Sequence, residues 1–433
     1  MTKPQANRPL RLALAGFGTV GGGLVRVLQE NGELIRQRTG RDIEVAKILV
    51  RDVHKARAVA LPAGAVLTSK PADLTDDPTI DVLVELMGGI DAPHAIISRA
   101  LDQGKHVVTA NKALLAENGM SLFQKAAEKG LILQYEASVA GCIPIIATLK
   151  ESLAGNKIES LLGILNGTSN YILSEMSSNG LDFDTALRQA QELGFAEADP
   201  TLDIDGHDAA HKLVLLIRLA YGVEYPYTAM PIHGIRGMNK MDIEFAREFG
   251  YRIKLIAQVS EQAGKLEAGV FPTLVHHTFL MARVGGSYNA VRVKGNAVGS
   301  LFMHGRGAGD LPTASAVLGD LLAVARQVQP NNTGFVSQSF ERAAILPPEE
   351  ARSCYYVRVM VHDTPGVLRD IASAMAEEGI SLAQIIQKPE TGGAVPLVFM
   401  THECPARAMK NALARAVKAG LLRMPAVAYR VLA

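Results

Sequence analysis

Leu10-Arg11-Leu12-Ala13-Leu14-Ala15-Gly16-Phe17-Gly18-Thr19-Val20-Gly21 decides the fold class. An apolar run long enough for one strand ends in glycines spaced GxGxxG, and a helix-compatible segment follows. In that setting the glycines serve a tight turn, close approach of a pyrophosphate, and close packing of helix on strand. The amides that open the helix sit at the positive end of its dipole and suit the phosphates. Alone, the spacing describes any glycine-rich turn. Its place directly after the first strand points to a dinucleotide site formed by Gly16, Phe17, Gly18, Thr19, Val20 and Gly21.

Outward from this turn, the strand-like runs IEVAKILV, DVLVELMGG and KHVVTAN alternate with helical segments up to about residue 110. That rhythm predicts a doubly wound α/β domain of the Rossmann type over residues 1–140. The second strand ends Leu49-Val50-Arg51-Asp52. A cation at Arg51 suits the 2′-phosphate of NADP(H), so NADP(H) is expected over NAD(H); Asp52 keeps NAD(H) open, and a solvated charged loop is the plainer reading. Lys112 follows KHVVTAN at the carboxyl edge of the sheet, where open α/β sheets hold ligands, or else it is a surface lysine at a helix start.

From about Glu136 the pattern mixes helices (141–154, 183–193, 206–221, 242–249) with strands (KIESLLGILNG, KLIAQVS, LEAGVFPTLV, YNAVRVKG). This predicts an α+β catalytic and dimerisation domain over 141–330, its last helix packing back on the first domain. Residues 331–352, rich in turn formers and holding Pro347-Pro348, read as a linker. Residues 353–433 give the order βαββαβ, the ferredoxin-like plan, and read as a separable unit.

Composition excludes several classes. Lys plus Arg number 44 against 43 Asp plus Glu, so no global field draws in nucleic acid or an anionic membrane. No apolar stretch reaches the roughly 20 residues that span a bilayer. Cys142, Cys354 and Cys404 are scattered without metal spacing, which fits reduced thiols in the cytoplasm. Small molecules and further copies of the chain are the expected partners.

Gly194–Lys212, with Glu197, Asp199, Asp203, Asp205 and Asp208 ahead of Lys212, concentrates carboxylates before one lysine. Asp208 and Lys212 stand one helical turn apart, and Asp205 or Gly206 can cap the helix. A surface salt bridge is the simple reading, yet the helix continues as LVLLIRLA, too apolar for exposure. His207 and His211, with an acid after the first, resemble the HExxH zinc helix, though the acid is the shorter Asp208 and no third ligand is evident.

Together these features resemble the homoserine dehydrogenase family across essentially the whole chain. AEADPTLDIDGHDAAHK is similar to that family's signature around its catalytic lysine, supported by GFGTVG, KHVVTANKALL, EASVAGCIP, LNGTSNYIL and GRGAGDLPTASA. VMVHDTPGVLRDIASAMAEEGISL resembles the ACT regulatory domain, with Asp363, Pro365, Gly366 and Leu368 in its first turn. The resemblance implies interconversion of L-homoserine and L-aspartate 4-semialdehyde by a monofunctional enzyme without an aspartate kinase segment. By matching position, Lys212 is the proton donor, Lys112 lies near the reacting oxygen and the nicotinamide, and Gly309 touches the cofactor. Gly194, Glu197, Asp203 and Asp208 bind homoserine, and Asp208 counts with Lys212 and Lys112 among the catalytic residues. Glu136, through its side chain, and Val139, Gly141 and Ile143, through their carbonyls, hold a monovalent cation, Na+ or K+. The ACT resemblance implies an amino-acid effector, L-threonine, in a homodimer or homotetramer, or a purely structural pairing role. A sensor on a dehydrogenase scaffold without turnover is the alternative class.

Overall fold

The computed structural model describes residues 8–337, 340–388 and 394–432. Residues 1–7, linker positions 338–339, and residues 389–393 and 433 of the ferredoxin-like unit lie outside the described residues.

Contacts divide the chain into two compact units that interleave along the sequence. One holds Met1–Glu159, His211–Ala229 and Asn289–Arg342; the other holds Ser160–Ala210, Met230–Tyr288 and Ala343–Ala433. This partition differs from the consecutive division at 140, 330 and 352, because tertiary packing recruits late segments to early ones.

In the first unit, strands β1 (Leu10–Ala15), β2 (Ile43–Leu49), β3 (Val66–Thr68), β4 (Val82–Glu85), β5 (His106–Thr109) and β6 (Leu133–Gln134) form a parallel sheet ordered β3-β2-β1-β4-β5-β6. Sheet order reverses between β1 and β4, the switch point at which doubly wound sheets bind ligands. The β1, β4 and β5 interior is apolar on both faces, as sheet covered by helices requires. Leu24 and Val25 of the helix Thr19–Glu30 share a core with Ala314, Val317, Leu318 and Leu321 of the helix Asp310–Ala325. That late helix therefore closes the nucleotide-binding sheet. The predicted helix 141–154 begins only at Ile145, after Pro144 and the left-handed pair Ala140 (φ 56°) and Gly141 (φ 60°), and continues as a wider π turn over Thr148–Ser152.

The second unit is built on β7 (Ile158–Ile164), β8 (Tyr251–Gln262) and β9 (Lys265–His276); β10 (Tyr288–Gly295) and β11 (Gly299–Arg306) fall largely in the first unit. The C-terminal region runs β12 (Arg352–Val361), helix Val367–Glu377, β13 (Leu382–Gln387), β14 (Val395–Thr401), the short β15 (Cys404–Pro405), helix Ala406–Lys418 and β16 (Val427–Leu432). Its main strands are ordered β16-β12-β14-β13, the ferredoxin-like sheet. This sheet is continuous with its neighbour, since β16 pairs in parallel with β9 through Arg430↔Thr273, Val431↔Leu274 and Leu432↔Val275. Ion pairs also join this region to its neighbour: Arg430 with the buried Glu267, and the buried Arg358 of β12 with the buried Asp242 of the helix Lys240–Glu248, the latter through two bonds of 2.6 and 2.9 Å. Linker residues join in, as Leu266 donates to the Ala344 carbonyl and accepts from Leu346. Among the described residues no helix is long and apolar enough to cross a membrane.

Lys254, on β8, is buried and donates to the Val284 carbonyl at 2.6 Å and the Asn170 amide oxygen at 3.0 Å. Burial, aided by Arg252, pulls its pKa down to about 7. An unfolded lysine titrates near 10.4, so above about pH 7 the unfolded chain holds more protons at this position and stability rises with pH. Replacing Lys254 with Met should remove up to about 1.4 kcal/mol per pH unit of that rise between about pH 7 and 10. Denaturation midpoints of wild type and variant across this window check it, and parallel profiles would show that Lys254 titrates normally.

Candidate active site

At the end of β1 the backbone of Gly16 turns with φ 109°, and a Cβ there would lie 2.8 Å from the Leu86 carbonyl oxygen. A Cβ on Gly21 would come within 2.6 Å of the Gly16 carbonyl oxygen, whereas one on Gly18 would meet nothing within 4 Å. The first and last glycines are thus demanded by the turn itself, and the middle one leaves open space. No side chain caps the helix that starts at Thr19. An uncapped helix start beside open space fits a pyrophosphate. Phe17 is buried under the turn, and Val20 packs against the core of the sheet.

Arg51 and Asp52 are both exposed just beyond β2. The Asp52 carboxylate accepts from the His54 amide at 2.8 Å, which ties it to its own turn. Gly309, with φ 125°, opens the helix Asp310–Ala325, and Asp310 forms an ion pair with Arg26 of Thr19–Glu30. The glycine turn GRGAGD is in this way held to the helix that follows the first glycine turn.

Lys112 is the first residue of the helix Lys112–Glu128, whose cap is Asn111 through a bond from the Leu114 amide. Asn111 also donates to the Gly89 carbonyl at 2.8 Å. Beneath it, the fully buried Glu85 at the end of β4 accepts from the Thr109 hydroxyl at 2.6 Å and the Met87 amide at 2.7 Å. Burial raises the Glu85 pKa, and these donors oppose the rise. The carboxyl edges of β4 and β5 are therefore locked together, and Lys112 is half-buried on top of that lock.

Glu136 is buried, and its two carboxylate oxygens accept from the amides of Ile146 and Ala147 at 2.8 and 2.7 Å. Burial raises its pKa against those two bonds. Its own amide donates to Asp320, whose carboxyl burial and the Glu136 charge push up. A cation bound by the Glu136 side chain would thus share a carboxylate already committed to a helix start. Val139, Gly141 and Ile143 are buried in the following turn. The Cys142 amide donates to the Arg306 carbonyl, and a Cβ on Gly141 would lie 2.4 Å from the Gly307 carbonyl oxygen, so this turn packs backbone to backbone on GRGAGD.

In the second unit the carboxylates separate by task. Asp199 accepts from the Thr201 amide, and Asp205 pairs with Arg236 through two bonds of 2.7 and 2.8 Å. Asp203, in the short helix Thr201–Ile204, and the buried Asp208, in the helix His207–Tyr221, both accept from the Asn166 amide. Gly194 (φ 75°) and Glu197 lie on the exposed loop before them. Lys212 is half-buried, four residues after Asp208 on the same helix. His211 stacks on Tyr227 and lies 3.4 Å from Glu117, a packed histidine.

The sequence profile described as homoserine dehydrogenase matches residues 144–322, and that described as the homoserine dehydrogenase NAD-binding domain matches residues 16–136. Homoserine dehydrogenase of Pseudomonas aeruginosa is 42% identical over 416 residues, 94% of this chain and 95% of that protein. The chain belongs to the homoserine dehydrogenase family. As a member of it, the chain is a nicotinamide-dependent oxidoreductase, with an ACT domain matched at residues 355–420. The crystal structure of a homoserine dehydrogenase from Thiobacillus denitrificans superposes with a TM-score of 0.93 at 42% identity, covering 98% of both chains. A hyperthermophilic archaeal homoserine dehydrogenase in complex with NADPH is 27% identical with a TM-score of 0.62, covering 75% of this chain and all of that one.

Two polar residues of this family member escaped the sequence reading. Glu85 left a signal, a carboxylate closing the otherwise apolar strand DVLVE, but the strand absorbed it. Asn166 lies inside LNGTSNYIL, where an asparagine before a glycine reads as a turn former or cap.

Proposed function

We propose that this enzyme interconverts L-homoserine and L-aspartate 4-semialdehyde with NADP(H) preferred over NAD(H), in the cytoplasm, on the route to threonine and methionine. The observation that carries the reading is the helix His207–Tyr221, which sets Asp208 and Lys212 one turn apart in a chain of this family. The nicotinamide, when bound, supplies or accepts the hydride. As the aldehyde is reduced its oxygen gains negative charge, which the Lys212 ammonium stabilises and protonates. Lys112 adds a second positive charge toward that oxygen from the carboxyl edge of the sheet. Glu197, Asp203 and Asp208 hold the ammonium end of homoserine, with Gly194 contributing backbone. A monovalent cation, sodium or potassium, belongs at the carbonyls of Val139, Gly141 and Ile143 beside Glu136, whose hard oxygens suit it. L-Threonine is the effector of the ACT domain, and the chain works as a homodimer or homotetramer.

The exposed Arg51 at the end of β2, and NADPH in the archaeal relative, support the coenzyme preference. Arg51→Ala should raise the KM for NADPH about ten- to a hundredfold, the worth of a charge-assisted bond, and leave that for NADH unchanged. Steady-state kinetics with both coenzymes test this. Equal losses for the two would detach Arg51 from the 2′-phosphate.

A further inference from the structure

Asn166 closes β7 and caps the helix Gly167–Asn179, its side-chain oxygen accepting from the Ser169 amide at 2.8 Å. Its amide nitrogen has two hydrogens, and both are directed to carboxylates: to Asp203 at 2.6 Å and to Asp208 at 2.9 Å. The residue is 5% exposed, so these bonds form away from bulk water, where they are strong and where losing them is costly. The Ser169 hydroxyl donates to the Asp203 carbonyl at 2.9 Å, so the same helix start also anchors the backbone of that aspartate.

Capping alone does not explain an asparagine here. Aspartate and serine cap helices about as well. What they lack is a neutral group with one acceptor and two donors, the inventory of a primary amide. Aspartate would set a third negative charge beside two others, and serine carries a single hydrogen on a shorter arm. Two carboxylates brought together repel unless something between them donates to both.

We infer that Asn166 is a positioning residue for substrate: it bridges Asp203 and Asp208 into one two-carboxylate clamp for the ammonium of the amino-acid substrate, while its oxygen fixes the clamp to the helix Gly167–Asn179. This rests on the reading that those two aspartates bind homoserine. It adds why both can face a single ligand: one amide group donates to each carboxylate and so sets their separation.

The test compares full-length wild type with Asn166→Ser and Asn166→Asp, both of which keep a capping oxygen. Steady-state rates give kcat and the homoserine KM, and a fluorescence titration gives the NADPH dissociation constant. The expected result is a homoserine KM raised about tenfold in the serine variant and further in the aspartate variant, with NADPH affinity unchanged. Asn166→Ser adds no charge and carries the test should Asn166→Asp fail to fold. A wild-type KM in the folded variants would reduce Asn166 to a helix cap and overturn the inference while the proposed function stands. A wild type that does not turn over homoserine would overturn both.

Discussion

Lys212→Ala is expected to slow homoserine oxidation about a hundredfold to ten-thousandfold, the usual worth of a positioned proton-transfer group. NADPH should bind as it does to wild type, because the residues assigned to phosphate and ribose lie on Gly16–Gly21 and Arg51. Lys212 sits mid-helix between the buried His211 and Leu213, and alanine is the best helix former, so the backbone has no reason to move. Lys212→Arg should rescue poorly, since a guanidinium keeps its charge but does not give up its proton. Rates and an NADPH titration on the same preparation check both statements. Substantial activity in Lys212→Ala would move the proton donor elsewhere, with Lys112 the next candidate.

Arg358→Met should destabilise the protein by about 3–5 kcal/mol, read as a lower denaturant midpoint. Asp242 is fully buried and takes two bonds from Arg358 and one of 2.8 Å from the Tyr356 hydroxyl. Methionine fills much of the arginine volume, so what is lost is the partner of a buried charge. Adding Asp242→Leu should restore most of the loss, because an apolar pair carries no uncompensated charge. A single variant as stable as wild type would mean that the two Arg358–Asp242 bonds contribute nothing to stability. The same pair bears on how regulation is studied. Removing residues 353–433, a natural experiment if the ACT region were detachable, would strip Asp242 of its partner and bare the β9 edge that β16 covers. Point changes within the ACT turn at Asp363–Leu368 leave that seam intact.

Much of the first unit was legible, because strands β1, β2, β4 and β5 carry apolar runs closed by turn residues, and a glycine turn marks where the first ends. β3 and β6 were not, since three and two residues show no period. The βαββαβ order of the C-terminal region was readable for the same reason as the first strands. Its continuity with β9 was not, because pairing between Arg430 and Thr273 depends on tertiary approach that neither segment encodes alone. In the site, the charge cluster before Lys212 announced itself, but not its division of labour. Arg236 claims Asp205, and Asn166, 37 and 42 residues upstream of its two partners, claims Asp203 and Asp208. Such assignments belong to the fold. The histidines show the converse: spacing suggested a metal helix, and packing gives His211 to Tyr227 and Glu117.

The most direct test of the central claim is turnover by the full-length chain: aspartate 4-semialdehyde and NADPH, followed by the loss of reduced-nicotinamide absorbance and by identification of the amino-acid product. NADPH oxidised in step with L-homoserine formed is the predicted result. Cofactor left unoxidised at every salt concentration and pH tried would contradict it, and would leave an amino-acid sensor built on a dehydrogenase scaffold.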